Sequence, residues 1–311
     1  MYSRFKALEE FDQDDLERLK NSTAAVVGTG ATGSVIAEHL ARHGIDLILI
    51  DRDYLEENDI YSSSLYRKAD TDRAKPKAEA AAEKLSDIVK VEFHVEDLTS
   101  DNIDMLENAD IVIDGTDNLE TRLLISEYCQ KEEKPWIYTA AIADRGFSMF
   151  LQEECFNCLF EKISASNLET CETAGIMREV SSMAGSRSAW KAVRYLAGKQ
   201  VDEDLDSVHS GKSFKFISEG CKVCEDSVYE HLKGSGRATK LCGSKKFQIE
   251  ADVTDTALEK LRENFEIEKE NDYLLQIDDG QKFTVFRSGR VIVEAEDEGQ
   301  ARQKVSERLG V

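Results

Sequence analysis

A strand, a glycine turn, a helix and a second strand follow one another within residues 24–51, and this succession restricts the chain to an α/β fold. Ala24-Ala25-Val26-Val27 is an apolar run suited to a buried strand. GTGATG follows, with glycines at Gly28, Gly30 and Gly33, then a helical pattern over Ser34–Gly44 and a second apolar run, Asp46–Ile50, ending at Asp51. Glycines at this spacing permit a tight turn and let phosphate oxygens approach the backbone. The helix N-terminus adds positive potential, and Asp51 stands where a carboxylate would take ribose hydroxyls. The other reading of the same residues is a tight strand–helix turn without a ligand.

The alternation continues downstream. A helix is expected from Pro76 to about Leu85, then a short strand in VKVEFHV, a buried strand over Ile111–Asp114, a helix in LETRLLISEYCQK and a strand in WIYTAAI. Strands alternating with helices imply a doubly wound, mostly parallel sheet of the Rossmann-like kind, with ligands at the carboxyl ends of the strands. The glycine turn, Asp51 and the polar loop Asp114, Asp117 and Asn118 all fall at such ends. Residues 144–241 are less regular and hold SSMAGSRS and a helix, SAWKAVRYLAG. From about 244 the pattern becomes a small α+β domain, so two domains are expected, 1–243 and 244–311. Trp136 and Trp190 read as core, as does Cys129 on an apolar helix face.

Four of the seven cysteines form two pairs, Cys155 with Cys158 and Cys221 with Cys224, and Cys171 stands alone between them. No secretory signal is visible, so the expected compartment is the cytoplasm and the cysteines suggest metal or thiol chemistry rather than disulfides. Two CxxC pairs suit a tetrahedral Zn²⁺ held by four thiolates. Such a site has no open position, which makes it structural and leaves Cys171 free for chemistry. Unliganded thiols in a reducing compartment are the other reading. The formal charge of −22, from 62 acidic and 40 basic residues, argues against a nucleic-acid surface. No apolar run is long enough to span a membrane. His39 and His43 lie four apart on one helix, without a recognisable metal set.

A dehydrogenase is the default reading of GxGxxG, but Lys75-Pro76-Lys77 at a helix start and Asp117-Asn118 across the sheet suit a triphosphate with its Mg²⁺. The chain resembles the adenylating ThiF/MoeB/HesA group related to ubiquitin-activating enzymes. The resemblance spans roughly residues 1–242 and rests on GTGATG, DRDYLEEN, RAKPKAEAAAEKL, DIVIDGTDNLETR, CFNCLF, TCETAGIMREVSSMAGSRSA and CKVC. It implies that the C-terminal glycine carboxylate of a small ubiquitin-like or sulfur-carrier protein (ThiS-, MoaD- or SAMP-like, ending in Gly-Gly) attacks the α-phosphate of ATP. By the same resemblance, Lys77 neutralises phosphates, Asp117 holds Mg²⁺, Asp51 binds ribose and Asp53 lies at the pocket edge. Arg4 matches an arginine that related homodimers extend into the partner's site. Cys171 matches the nucleophile of thioester-forming relatives, although Glu169 and Glu172 would raise its pKa unless a helix dipole, Arg178 or Arg187 offsets them.

The chain departs from the family pattern in ENDIYSSSLYR. Relatives place asparagine and, three residues later, a triphosphate-contacting arginine where Asp59 and Ser62 stand. Asn58 could replace the asparagine, and Arg52, Arg67 or Arg73 the arginine. Competing readings are an adenylating dehydratase acting on a tRNA base (threonylcarbamoyladenosine), an NAD-dependent oxidoreductase and a non-catalytic scaffold.

Overall fold

The computed structural model describes residues 5–160, 175–215, 221–233, 239–240, 246–278 and 280–309. The chain divides into two compact units, residues 1–67 with 76–234, and residues 68–75 with 235–311.

The first unit is built on an eight-stranded sheet. Its strands are β1 (Thr23–Val27), β2 (Asp46–Ile50), β3 (Val91–His94), β4 (Ile111–Asp114), β5 (Trp136–Ile142), β6 (Arg145–Leu151), β7 (Leu205–Ser207) and β8 (Lys212–Phe214), in the order β3-β2-β1-β4-β5-β6-β7-β8. From β3 through β5 all neighbours are parallel, and β5 through β8 pair antiparallel. The two-residue period of a strand sorts the apolar side chains to two faces. Ala24, Val26, Leu47, Leu49, Ile111 and Ile113 face one core, which is covered by α1 (Gln13–Lys20), α2 (Gly33–Arg42), the helix Lys77–Leu85 and the long helix Arg178–Leu196. Ala25, Val27, Ile48, Ile50 and Val112 face the other, covered by the helix Leu119–Lys131 and the turn Ile103–Leu106. With the short helices Asp59–Ser62 and Phe156–Phe160 included, and Lys68–Thr71 of the second unit counted in chain order, the helices are α3 (Asp59–Ser62), α4 (Lys68–Thr71), α5 (Lys77–Leu85), α6 (Leu119–Lys131), α7 (Phe156–Phe160) and α8 (Arg178–Leu196).

Two parts of this unit differ from the sequence expectation. SSMAGSRS is the first half of α8, although serine and glycine are weak helix formers. Tertiary packing decides it: Ser181, Ala184, Gly185 and Ser188 are buried, and a Cβ on Gly185 would lie 2.9 Å from the Thr32 carbonyl oxygen and 3.0 Å from Val35 Cβ. Residues small enough for close approach are what lets α8 lie on α2. Trp190 is not core. It is 46% exposed, with Arg187 4.2 Å and Arg194 5.0 Å from its ring centre. Trp136 and Cys129 are buried.

The second unit holds an antiparallel sheet of β9 (Thr239–Lys240), β10 (Lys246–Glu250), β11 (Ile267–Glu270), β12 (Leu274–Asp278), β13 (Lys282–Phe286) and β14 (Arg290–Glu294), in the order β11-β12-β13-β14-β10-β9. Phe247, Ile249, Ile277, Phe283, Val291 and Val293 form its core with Leu258 and Leu261 of α9 (Asp255–Asn264) and Val305 of α10 (Glu298–Leu309). The sequence had not suggested β11, Ile-Glu-Lys-Glu at the sheet edge, because its composition is that of a solvated strand. Among the described residues no helix is long and apolar enough to cross a membrane.

The glycine turn holds the first unit's centre together. Gly28 has φ +82°, and a Cβ on Gly33 would sit 1.8 Å from the Gly28 carbonyl oxygen. Gly33→Ala is therefore expected to cost roughly 2–3 kcal/mol of stability, as overpacking against rigid backbone does. At Gly30 a Cβ would meet nothing within 4 Å, so Gly30→Ala should change stability by less than about 0.5 kcal/mol. Urea unfolding of both variants checks this, and equal midpoints would contradict it.

Candidate functional site

The site begins where β1 and β4 end side by side. Gly28 donates its N–H to the Ile50 carbonyl at 2.7 Å, and Gly115 donates to the Val27 carbonyl at 2.7 Å. A Cβ on Gly115 would stand 2.6 Å from the Gly28 carbonyl oxygen, so the glycine turn and the loop after β4 touch backbone to backbone. The turn leads directly into the N-terminus of α2. Its open side, at Gly30, leaves room for an anion against backbone N–H groups.

Asp51, at the end of β2, is buried and fixes this turn. Its Oδ2 accepts the Thr29 N–H at 2.6 Å and the Thr29 hydroxyl at 3.0 Å, and its Oδ1 accepts the Asp53 N–H at 2.8 Å. Burial, reinforced by the charge of Asp53, pushes the Asp51 carboxyl above its ordinary range against the pull of Lys77. Lys77 opens α5, and its backbone N–H donates to the Asp53 carbonyl at 2.8 Å. Burial works against the Lys77 ammonium, but Asp53, Asp59 and Asp51 outweigh it and hold the lysine firmly charged. Its Nζ lies 3.0 Å from Asp59 Oδ1. Tyr66 joins the parts from beneath: its buried hydroxyl donates to the Thr29 carbonyl at 2.6 Å and lies 3.2 Å from the Lys77 carbonyl.

On the other side of the crevice, Asp114 is fully buried and receives Thr116 N–H at 2.8 Å, Thr116 Oγ1 at 2.6 Å and Arg122 Nε at 2.8 Å. Arg122 also donates to the carbonyls of Thr116 and Thr139, the latter at 3.1 Å. It stays charged because Asp114, Tyr138 and Asp117 offset the cost of burial. Asp117 is exposed on this loop, and its field reaches both Arg122 and Arg52. Arg52 is half-buried beside it and paired with Asp97 at 2.8 Å.

Gly28, Gly30, Gly33, Asp51, Asp53, Lys77 and Asp117 thus gather at one end of the sheet. Asn118 is first of all a helix cap: its Oδ1 accepts N–H groups of Glu120 at 2.8 Å and Thr121 at 3.4 Å. Asn58 is exposed at the start of α3, with no side-chain capping bond. Of the three arginines considered for the missing charge, Arg52 lies at the crevice, Arg67 is exposed, and Arg73 falls in the other compact unit. Arg187, one of the two basic residues considered for Cys171, is paired with Asp206 at 2.7 Å. Arg4 and Cys171 lie outside the described residues. The sequence assigned no role to Thr29, Tyr66, Asp97 or Arg122, and it marked Asp59 only as a departure from the family pattern. Arg122 lay within a quoted motif, but nothing local marks Tyr66.

A second site lies at the far edge of the unit. The sulfurs of Cys155, Cys158, Cys221 and Cys224 all lie within 4.8 Å of one another, with nearest separations of 3.4, 3.5 and 3.6 Å. Four ligands 2.3 Å from a tetrahedral ion stand about 3.8 Å apart, so the cluster fits zinc in size and in chemistry. Two buried polar groups of α6 anchor it. Ser126 Oγ accepts the Phe156 N–H at 2.9 Å. Glu127 accepts His231 N–H and Nδ1, both at 2.7 Å, and Leu232 N–H at 3.1 Å.

The ThiF family profile matches residues 2–227. The chain belongs to the ThiF family. It is 29% identical over 316 residues to the "Sulfur carrier protein ThiS adenylyltransferase" of Bacillus subtilis, covering 94% of each protein. It is 29% identical over 244 residues to the "Molybdopterin-synthase adenylyltransferase" of Escherichia coli K12, covering 72% of this chain and 95% of that one. A crystal structure of E. coli MccB superposes with a TM-score of 0.58 at 19% identity, over 70% of this chain and 69% of the other, a likeness of fold.

The hydrogen bond that His231 gives to Glu127 raises the His231 pKa from its ordinary 6.5, outweighing burial. A raised histidine pKa contributes stability that is fully present below 6.5 and is lost as pH climbs through the folded value. The thermal stability of the wild type should therefore fall with rising pH across that window more than that of Glu127→Gln. Parallel pH profiles for the two proteins would contradict this coupling.

Proposed function

We propose that the protein adenylates the C-terminal glycine carboxylate of a small ubiquitin-like or sulfur-carrier protein at the expense of ATP. The observation that carries this reading is the single crevice in which the open glycine turn, Asp51, Lys77 and Asp117 meet. Family membership supports it, as do relatives named for adenylating sulfur carriers. Those names do not favour a tRNA-base dehydratase or a non-catalytic scaffold.

The glycine turn receives phosphate oxygens on its backbone N–H groups, with the N-terminus of α2 behind them. Asp51, already fixed to Thr29, takes ribose hydroxyls on its remaining lone pairs, and Asp53 and Asn58 border the pocket. Lys77 places a full positive charge on the phosphates, and Arg52 supplies the charge that Ser62 does not. Asp117, exposed on the loop after β4, would hold Mg²⁺, which neutralises the triphosphate when bound. Asn118 positions that loop by capping α6. The carrier's carboxylate oxygen attacks the α-phosphorus, the α–β P–O bond breaks, and pyrophosphate leaves. In a second step the Cys171 thiolate attacks the acyl carbon, the C–O bond to AMP breaks, and a thioester remains. Arg4 of a second protomer reaches the site in a homodimer. Residues 1–243 carry this chemistry, and 244–311 form a separate domain. The cysteine cluster holds structural Zn²⁺ through Cys155, Cys158, Cys221 and Cys224, and it supplies no open coordination position.

The test is intact-mass detection of the carrier adenylate after incubation with ATP and Mg²⁺. Lys77→Met should lower its formation by roughly 10²–10³-fold, the usual effect of removing a charge that meets the transition state. Cys171→Ala should leave the adenylate intact and remove only the thioester. Loss of the adenylate in Cys171→Ala would overturn this division of roles. Metal analysis of the purified protein should find one zinc per chain, and Cys158→Ser should lose it and melt at a lower temperature. A zinc content unchanged by that substitution would refute the ligand assignment.

A further inference from the structure

Lys77 is not waiting as an unpaired cation. Its Nζ is 3.0 Å from Asp59 Oδ1, and the two side chains are only 15% and 16% exposed. Asp59 is itself held in place, because its Oδ2 accepts the Glu56 N–H at 2.8 Å in the turn that opens α3. Asp51 and Asp53 add two further negative charges around the same ammonium. A phosphate that comes to Lys77 must therefore take the place of a carboxylate already at contact distance. It must also enter a neighbourhood in which acidic groups outnumber the lysine.

We propose that Asp59 is an affinity-setting residue of the nucleotide site, which competes with the phosphates for Lys77 and keeps ATP binding weak. The inference rests on the reading of this crevice as an ATP site. Nothing in the contact needs a negative charge for stability of the turn: an amide oxygen at position 59 would still accept the Glu56 N–H. The carboxylate's specific contribution is to Lys77. Because the pair is mostly withdrawn from water, salt screens it less than a surface pair, and its competition should persist at physiological ionic strength.

The experiment is calorimetric titration of the full chain with ATP and excess Mg²⁺, for the wild type and Asp59→Asn. The expected result is that Asp59→Asn binds ATP about tenfold more tightly, equivalent to ~1.4 kcal/mol. Asp59→Ser, which also removes the charge and keeps an oxygen near the Glu56 N–H, should change affinity in the same direction and serves if the first variant does not fold. Equal or weaker binding by the folded variants, with ATP still bound by the wild type, would overturn the inference and leave the ATP reading standing. Absence of ATP binding by wild type and variants alike would overturn both.

Discussion

The backbone contact between Gly28 and Gly115 is the constraint on which the proposed nucleotide crevice depends. With no Cβ at positions 28, 33 and 115, the ends of β1 and β4 and the start of α2 approach to distances that side chains would forbid. That approach brings a helix N-terminus, the buried Asp51 and the loop bearing Asp117 to one end of the sheet. The polar groups around it then become mutually dependent. Asp51 holds Thr29, Tyr66 holds the Thr29 carbonyl from below, and Asp114 with Arg122 fixes the loop on the opposite side. Each buried charge in this arrangement has a partner, which keeps its cost of desolvation bearable.

The cysteine cluster solves a different problem. Two segments far apart in sequence, around Cys155 and Cys221, meet in a small buried cluster beside the unit's second core, which reaches them through Phe156 and Leu232. Ser126 and Glu127 of α6 fasten each segment to the sheet's second face. The cysteine cluster and α6 are thus linked, with α6 running from the Asn118 cap past Ser126 and Glu127, which hold the two cysteine segments. The N-terminus of this helix is capped by the Asn118 side chain, and its C-terminus closes through the Glu132 N–H on the Tyr128 carbonyl.

Much of the fold was legible because its strands are apolar runs and its helices are periodic. β1, β2, β4 and β5 lie where those runs stand, and α5 begins just after Pro76 as its fixed φ favours. The glycine turn, Lys77 and the cysteine pairs were readable because each depends on residue type at short spacing. What escaped depends on contacts that no short window contains. β6 follows a turn at Ala143 and Asp144, with Ala143 at φ +51°, a position that carries neither glycine nor asparagine to announce it. The helical state of SSMAGSRS comes from α2 and the sheet rather than from its own propensities. Asp59 looked like an altered family position, and its pairing with Lys77 became visible only when α3 and α5 were brought together.

The chemistry proposed for this crevice is activation of a carboxylate with ATP. The most direct measurement is ATP–pyrophosphate exchange by the purified protein, with the host's small β-grasp proteins ending in Gly-Gly added one at a time. Exchange should depend on one of these carriers and on Mg²⁺. A folded, metal-replete protein that exchanges pyrophosphate with none of them would contradict it.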